Sequence, residues 1–311
     1  MTATIRYLKR DEIEDSGWNH CISHAINGNI YAYSWYLDIV SPDWSALVMG
    51  DYEHVFPLSW RKKYGIFYLY QPFFTQQLGL FSRELLTEAI CNSFLEAIPK
   101  KFRLIQINLN SYNKTSLPDF QQTAFTNLEL DLIEDYPSIA KGYSENLRRN
   151  LKKAQSAGLT IKPISTIESL LDIFRTNKGR EIDTFQDSDY QALIKLVSEG
   201  ERYKAFSSAG VYLPDGSLCA GAVFAFSNKK AIFLFSAGNN HAKATAAIPF
   251  LIDDFVHHHC QSQLTLDFEG SNDPDLARFY RGFGAIDCPY MHLEKNKLPR
   301  IINIALSIMK Q

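Results

Sequence analysis

Hydrophobic and polar positions between residues 264 and 285 follow two periods in succession. Apolar and polar residues alternate over 264–268, the period of two that is typical of a strand with one apolar face. After a turn, apolar residues recur with a helical period, at Leu276, Phe279, Tyr280 and Phe283. Asn272 or Asp273 can cap this helix, with Pro274 in its first turn. We therefore predict a strand, a turn and one helix.

The same two periods predict the elements of the first half of the chain. Strands are expected at 4–8, 45–49, 54–60, 66–70, 104–109 and 128–133, and helices at 11–26, 31–40 and 83–98. Pro42 ends the second of these helices.

The second half repeats this order of elements. Strands are expected at 159–164, 203–212, 218–226, 231–236, 264–268 and 290–293, and helices at 167–180, 188–199 and 243–259 and after Asp273. Strand, two helices, three strands, helix and strand thus occur twice, about 155 residues apart. We predict an N-terminal domain over 1–140 and a C-terminal domain over 141–311.

Composition and charge fit an ordinary globular protein. Of the 311 residues, 46% are hydrophobic and 21% charged, which gives no sign of disorder. The net charge of −2 divides into −5 for residues 1–140 and +3 for residues 141–311, so any surface for anions is expected in the second half. Five scattered cysteines without a C-x-x-C pair indicate reduced thiols in a cytoplasmic protein. We expect no transmembrane segment, because no apolar run has the required length.

Residues 143–158 predict a basic helix between the two copies. Ser144 can serve as its N-cap and Gly158 as the residue just past its end. Four cations lie close together along it, namely Arg148, Arg149, Lys152 and Lys153. This helix is either a solvated linker or a contact to the phosphates of a ligand.

The order of elements resembles the GNAT acyltransferase superfamily. A doubled GNAT fold with a basic helix before the second copy is similar to the Fem-type aminoacyltransferases of peptidoglycan bridges. In the second copy the matching residues read LRRNLKKAQSAG, LCAGAVFAFSNKKAIFLFSAGN, LDFEGS and ARFYRGFGA, whereas residues 1–140 agree in element order alone. The resemblance implies an α/β protein of two tandem GNAT-like domains, with mixed, mostly antiparallel sheets flanked by helices. It implies an N-terminal acceptor side and a C-terminal acyl-donor side.

The chain departs from the resembled families at two places. Fem-type enzymes usually have Phe-Lys before the terminal glycine-containing turn, with the Lys associated with the aminoacyl-tRNA donor, whereas this chain has Phe279-Tyr280. GNAT enzymes that use acyl-CoA often have a tyrosine on this helix. The phosphate-binding signature of simple GNAT enzymes, a Gln or Arg followed by spaced glycines, is absent, and residues 238–243 occupy its place.

A donor site for acyl-CoA follows from the resemblance. The pantetheine arm would pair with the backbone of the fourth strand of the second copy, where the fourth and fifth strands splay apart. The residues expected there are Phe235, Ser236 and Ala237 on the strand and Asn240, Lys243, Ala244 and Thr245 at the start of the next helix. A helix start offers unpaired N–H groups to a pyrophosphate. An alanine-rich segment also fits a helix that is simply well packed.

Acyl transfer to an amine needs a base for the nucleophile and an acid for the leaving thiolate. The resemblance gives the acid role to Tyr280. Glu269 is the candidate base, because it lies on the polar face of the predicted strand near its C-terminal end, and Asp267, two residues earlier on that face, could raise the pKa of Glu269 through like charge. Alternatively, Tyr280 is a packed core residue, and Glu269 caps the next helix or pairs with Arg278 or Arg281.

An acceptor site is expected among aromatic and amide side chains of the first copy. Its candidates are Tyr33, Trp35, Tyr70 and Gln71, joined by Arg148 and Arg149 of the basic helix, although a core would use the same aromatics. The expected acceptor is a small-molecule or peptide amine, and nothing in the pattern favours DNA. We expect no metal, because three successive histidines from His257 point about 100° apart on a helix and cannot converge on one ion.

Three functions agree with these patterns. The preferred one is an N-acyltransferase that moves an acyl group from acyl-CoA, such as acetyl-CoA, to an amine. An aminoacyl transferase that uses charged tRNA is the second, although only the basic helix supplies the cations that tRNA requires. A binding protein that kept the fold without catalysis is the third.

Overall fold

The computed structural model describes residues 4–177, 185–270 and 272–299. The strands in chain order are β1 (Ile5–Lys9), β2 (Ser45–Met49), β3 (His54–Leu58), β4 (Trp60–Lys63), β5 (Ile66–Leu69), β6 (Phe81–Ser82), β7 (Phe102–Asn108), β8 (Gln121–Phe125), β9 (Leu128–Asp131), β10 (Thr160–Pro163), β11 (Phe206–Tyr212), β12 (Leu218–Ser227), β13 (Lys230–Gly238), β14 (Thr265–Asp267), β15 (Ile286–Asp287) and β16 (Tyr290–Asn296). The helices are α1 (Asp15–His24), α2 (Ser34–Val40), α3 (Glu88–Glu96), α4 (Tyr136–Lys141), α5 (Glu145–Ser156), α6 (Ile167–Thr176), α7 (Asp187–Arg202), α8 (Asn240–Thr245), α9 (Ala247–His259) and α10 (Pro274–Arg281). The last residues of the predicted helix 167–180 lie outside the described ranges.

The chain divides into two compact units. Unit 1 comprises Met1–Phe125 and Tyr290–Gln311, and unit 2 comprises Thr126–Pro289. Within the described ranges, no helix combines the length and apolarity needed to span a bilayer.

Unit 1 contains two sheets. One has the strand order β1-β2-β3-β6 and the other β4-β5-β7-β16-β8. All recorded pairings in them are antiparallel except β5 with β7. Helix α3 contributes Phe94, which stacks on Phe56 of β3 with 6.4 Å between ring centroids.

Unit 2 has a single seven-stranded sheet with the order β10-β11-β12-β13-β14-β9-β15. Only β13 and β14 pair in parallel in the described part of this sheet. Helix α9 covers one face, where Phe255 stacks on Phe224 of β12 at 4.0 Å between centroids. The sheets thus follow the predicted class of mixed, mostly antiparallel sheets flanked by helices.

One strand of each half belongs to the sheet of the other half. Strand β9 from the first half pairs with β14 and β15, and β16 from the second half pairs with β7 and β8. The predicted domains 1–140 and 141–311 follow the repeat of elements in the sequence, and this division stays a prediction. In space, residues 126–140 belong to unit 2 and the residues from Tyr290 onward belong to unit 1.

The predicted caps of two helices are confirmed. Ser144 accepts the N–H of Leu147 at 3.3 Å at the start of α5, and Gly158 follows its end with a left-handed φ of 65°. Asp273 caps α10 by accepting the N–H of Asp275 at 2.8 Å. Short polar side chains at these positions satisfy backbone N–H groups that lack an intrahelical partner.

The prediction of one helix over 243–259 is wrong. The helix breaks into α8 and α9 at Ala246, whose φ is 59°. Pro249 explains the break, because in a continuous helix its ring would clash with the carbonyl of Thr245, four residues earlier. Pro249 is tolerated in the first turn of α9, where no such carbonyl is present.

Candidate functional site

Strands β13 and β14 separate after a short parallel pairing. The register joins Lys230–Ile232 to Thr265–Asp267, and β13 continues to Gly238 without β14 beside it. Near this point Leu234 forms a bulge against β12, because Val223 faces Phe235 while Phe224 faces Phe233. A bulge increases local twist and turns the strand. From Phe233 onward, no strand within the described ranges pairs with the β14-facing edge of β13.

The residues predicted to hold the donor follow one another along this edge and into α8. Phe235 is buried against Phe174, with 5.0 Å between ring centroids, Ala237 is buried, and Ser236 is half-buried between them. In α8, Asn240, Lys243 and Ala244 are exposed.

The start of α8 is partly capped by the chain itself. Asn239 accepts the N–H of Ala242 at 3.1 Å, and the Thr245 hydroxyl donates to the carbonyl of His241 at 2.7 Å. The first turn of α8 therefore uses one of its N–H groups internally.

Tyr280 lies beside the point where β13 and β14 separate. Its ring stacks on Phe268 at 4.7 Å and meets the ring of Phe233 edge-on at 6.4 Å between centroids. Burial raises the pKa of Tyr280 above its ordinary value, and the nearby Glu269 carboxylate raises this pKa further. The phenol therefore stays protonated at neutral pH and can donate a proton or a hydrogen bond.

Glu269 occupies a turn in the left-handed region. Its φ is 55°, and Gly270 follows with a φ of 41°. The N–H of Glu269 donates to Oδ1 of Asp267 at 2.8 Å. Such a conformation is uncommon for a residue other than glycine and costs about 1–2 kcal/mol, so this hydrogen bond helps to hold it.

Asp267 is part of a buried network of charges. Nζ of Lys230 lies 2.5 Å from Oε1 of Glu129 and 3.5 Å from Oδ2 of Asp267. Nδ2 of Asn127 donates to both carboxylates at 3.2 Å. The pKa of Asp267 is raised by burial and lowered by Lys230, with a net rise. Burial lowers the pKa of Lys230, but the charges of Asp267 and Glu129 raise it above its ordinary value.

This network corrects the expected place of Asp267. Asp267 was expected on a polar face beside Glu269, but it is only 4% exposed, because β14 lies between β13 and β9 in the sheet. The direct contact of Asp267 with Glu269 is through the backbone N–H, and its charge faces Lys230. Of the two arginines that were alternative partners of Glu269, Arg278 pairs with Asp275 and Arg281 with Asp287.

The sequence analysis missed Lys230, Glu129 and Asn127. Glu129 and Lys230 are 101 residues apart in the chain, and they meet only because β9 pairs with β14. No local pattern marks such a pair, although a lysine at the first position of an apolar strand is a weak signal.

Gly270→Ala is expected to destabilise the protein by about 3 kcal/mol or more, the sum of left-handed strain and overpacking. An added Cβ would lie 2.4 Å from both the Thr126 carbonyl oxygen and the Asn127 Cα, which are backbone atoms that cannot move aside. Urea unfolding measures this loss.

Gly216→Ala is the matched control for Gly270→Ala. Gly216 also has a left-handed φ, of 86°, but no atom lies within 4 Å of its added Cβ. This control should lose only about 1 kcal/mol from backbone strain. Equal losses in the two variants would contradict the close approach at Gly270.

The basic helix α5 uses one of its four cations locally. Arg148 donates to the carbonyls of Ala140 and Lys141 at 3.4 and 2.9 Å and so caps α4. Arg149 lies 3.5 Å from Oδ1 of Asn146 and is exposed, as are Lys152 and Lys153. A cleft of about 620 Å³ lies between the start of α5 and helix α10.

The predicted acceptor residues of unit 1 form two groups. Tyr33 and Trp35 lie at the start of α2, where the Trp35 ring meets Tyr36 edge-on at 5.5 Å and burial raises the pKa of Tyr33. Tyr70 lies under the guanidinium of Arg61, which is 4.2 Å from the ring centroid.

Gln71 joins two parts of the backbone of unit 1. Its Nε2 donates to the carbonyl of Thr75 at 2.7 Å, and its Oε1 accepts the N–H of Asn108 at 2.9 Å. Both ends of this amide are therefore engaged by the chain itself.

In unit 1, residues of the chain itself occupy the gap beyond the paired part of its two parallel strands. Its parallel strands β5 and β7 pair as far as Leu69 and Ile105. Beyond that point Gln71 takes the Asn108 N–H, and Leu78 forms a parallel bridge with Leu109. Residues 71–78 therefore lie along the β7 edge, in the gap beyond the paired part of β5 and β7.

Among the described residues, no group of three His, Cys, Asp or Glu side chains could hold a metal ion. His257 and His258 are exposed on α9, and His259 is half-buried against Phe255 at 4.2 Å between ring centroids.

Comparisons with known proteins support the resemblance at the level of the fold. No family model matches the sequence, and no curated protein matches it. The crystal structure of FemX is similar over 97% of this chain and 99% of that chain, with a TM-score of 0.64 and 13% identity. The chain has a Fem-type, tandem GNAT-like fold.

Two further structures share the Fem-type fold. One is the C-terminal domain of a putative lysylphosphatidylglycerol synthetase from Agrobacterium fabrum. The similarity covers 94% of this chain and 93% of that domain's chain, with 11% identity and a TM-score of 0.57. L-PGS from Bacillus licheniformis covers 95% of both chains, with 13% identity and a TM-score of 0.54. The predicted resemblance and fold class are confirmed, and at these identities the donor and acceptor must be argued from the site.

Proposed function

We propose that this protein is an N-acyltransferase that holds its acyl donor along the open edge of β13 in unit 2. The observation that carries the proposal is that β14 pairs with β13 only as far as Ile232, while β13 continues to Gly238, and that Tyr280 lies beside Phe233. An extended donor arm that contains amides can pair with this edge as an added strand would, because strand edges offer free N–H and C=O groups.

Each residue has a definite task in the proposed reaction. Glu269 removes the proton from the attacking amine, directly or through one water. A backbone N–H of β13 polarises the carbonyl as the new C–N bond forms and the C–S bond of the thioester breaks. Tyr280 gives its proton to the leaving thiolate. Asp267 contributes by positioning the backbone of Glu269, and it does not contact substrate in this scheme.

We propose acyl-CoA, such as acetyl-CoA, as the donor. Its pantetheine arm has the length and amide content for the β13 edge, where Phe235, Ser236 and Ala237 would line it. Its pyrophosphate would lie near Asn240, Lys243, Ala244 and Thr245 at the start of α8. Because residues 71–78 occupy the corresponding gap between the parallel strands of unit 1, we infer one donor site per chain.

An aminoacyl-tRNA donor is the second candidate. The exposed cations of α5, Arg149, Lys152 and Lys153, favour it, since phosphate neutralisation dominates the affinity for nucleic acids. The similarity to FemX, and to proteins named for the synthesis of a lysine-bearing lipid, also supports an aminoacyl donor.

The proposed acceptor is a small-molecule or peptide amine. In unit 1, Tyr33, Trp35 and Tyr70 remain its proposed contacts. We leave Gln71 and Arg148 out of this set, because both side chains are engaged with backbone carbonyls or N–H groups of the chain.

Calorimetric titration with acetyl-CoA and with desulfo-CoA tests the donor. We expect micromolar binding of both ligands, weakened about fivefold by Lys243→Ala through the loss of one charge near the pyrophosphate. Lys195→Ala, an exposed lysine on α7, is the matched control and should bind like the native protein.

Other results of the same titration would favour the other candidates. If neither ligand gives heat and tRNA binds through α5, so that changing Arg149, Lys152 and Lys153 to Gln abolishes the binding, the donor is a charged tRNA. If neither donor binds, the protein is a binding protein that kept the fold.

A further inference from the structure

Seven cations gather at one end of the five-stranded sheet of unit 1. We call this set the basic sheet end; its members are Lys62, Lys63, Lys100, Lys101, Arg103, Lys295 and Lys297. The register explains why they meet. The turn between β4 and β5 lies beside the start of β7, because Phe67 pairs with Phe102, and the end of β16 lies there too, because Asn296 pairs with Leu104.

The basic sheet end has little opposing charge. Within the described chain its one ion pair joins Lys295 to Asp119 at 2.7 Å. The pKa of Lys297 is lowered, first by the charge of Lys295, with Lys100 adding to the effect. Six of the seven residues are exposed, and Lys295 is half-buried. Unopposed like charges at this density repel one another and lower the stability of the folded protein. Such a cluster is therefore better explained by a binding partner than by folding.

Aromatic rings lie close to four of these lysines, among them Lys63 beside Tyr64 and Lys295 beside Phe120. Nζ of Lys62 lies 5.0 Å from the ring centroid of Phe67. Nζ of Lys101 lies 5.1 Å from that of Phe102 and donates to the Tyr7 hydroxyl at 2.8 Å. These contacts hold the ammonium groups against aromatic rings at the sheet end.

An exposed tyrosine stands at the tip of the β4-β5 turn. Tyr64 and Gly65 both have left-handed φ values, of 51° and 79°, as in a two-residue type I′ turn. Asn or Gly forms such a turn without strain, whereas Tyr64 is strained and 66% exposed. A strained, exposed aromatic that directly follows two lysines is better explained by a contact than by folding.

We propose that the basic sheet end binds the surface of a bilayer that contains anionic lipids. Clusters of four to eight cations recognise anionic headgroups, and a tyrosine ring is suited to the headgroup level, where one side is apolar and the other wet. Six of the seven cations are lysines, which suit a diffuse anionic surface, whereas arginine is the residue that binds a phosphate with two parallel hydrogen bonds. A bilayer is therefore favoured over a nucleic acid.

Vesicle sedimentation tests this proposal. The native protein should bind vesicles of phosphatidylcholine with one-third phosphatidylglycerol and not vesicles of phosphatidylcholine alone. Each lysine near such a surface contributes about fivefold to binding. Changing Lys62, Lys63 and Lys100 to Gln should therefore weaken binding roughly 100-fold, with a thermal unfolding midpoint no lower than that of the native protein, because the three side chains are exposed and their mutual repulsion is relieved. Binding should also fall at high salt, because salt screens exposed charges.

The matched control removes the same charge from α5, by changing Arg149, Lys152 and Lys153 to Gln. This variant should bind vesicles within about threefold of the native protein, because α5 lies in unit 2. The proposal is overturned if the native protein does not prefer anionic vesicles, or if the α5 variant loses binding equally. It is also overturned if the basic sheet end binds tRNA and not vesicles. Because no donor is involved, the result is independent of the proposed function.

Discussion

Tyr280→Phe should lower the rate of acyl transfer by about 10²- to 10⁴-fold, the usual contribution of a general acid. The variant keeps the ring, which stacks on Phe268, and loses only the hydroxyl that would protonate the leaving thiolate. The measurement is the release of free thiol from acetyl-CoA with an amine that supports turnover, and urea unfolding checks that the fold persists. Because the pKa of Tyr280 is raised, the native enzyme should lose no activity from its deprotonation up to about pH 10.

Tyr143→Phe is the control for Tyr280→Phe. Tyr143 is also buried in unit 2, and its ring meets Phe283 edge-on at 5.6 Å. Tyr143 plays no part in the proposed reaction, so the Tyr143→Phe variant should transfer the acyl group at the rate of the native enzyme. A Tyr280→Phe rate within threefold of the native one would remove Tyr280 from the reaction.

Lys230→Met should cost about 3–5 kcal/mol of stability at pH 7.5, the usual loss when one partner of a buried ion pair is removed. The variant leaves Asp267 and Glu129 in the sheet without their shared cation, while the Lys230 side chain is only 23% exposed. Urea unfolding at two pH values measures the loss.

The loss should be smaller at pH 4.5 than at pH 7.5. Without Lys230, the already raised pKa of Asp267 rises further, so the folded state keeps a proton that the unfolded chain releases above about pH 3.9. Stability of the variant therefore falls as pH increases above that value. Native Lys230 has a raised pKa, so its contribution is fully present below its unfolded pKa of about 10.4 and constant between the two test values.

Lys229→Met controls for the loss of a lysine at this turn. Lys229 is exposed and donates to Gln263 at 2.9 Å, so its removal should change stability by less than about 1 kcal/mol at either pH. If Lys230→Met behaves like Lys229→Met, the network does not stabilise the site.

Local patterns in the sequence were sufficient for the elements around the proposed site. The alternation before Phe268 predicted β14, and the apolar stripe with Asp273 predicted α10 and so the placement of Tyr280. Strand β8, QQTAF, escaped prediction because it lacks an apolar face, and its pairing with β16 is what makes it a strand.

The net charge of each half also did not indicate where the cations cluster. Residues 1–140 carry a net −5, yet they supply Lys62, Lys63, Lys100, Lys101 and Arg103 to the basic sheet end. Net charge averages over a surface, whereas strand register decides which side chains are neighbours.

By itself the sequence determined β14 and α10, the caps of α5 and α10, and the resemblance to a doubled GNAT fold. These features depend on residues within a few positions of one another. Only the tertiary structure decided that β9 and β16 exchange sheets and that Asp267 faces Lys230. It also decided that residues 71–78 line the β7 edge of unit 1, whereas no described strand pairs with the β14-facing edge of β13 beyond Ile232. The physical reason is that hydrogen bonds between strands and buried ion pairs join residues far apart in the chain, whose partners no local period can specify.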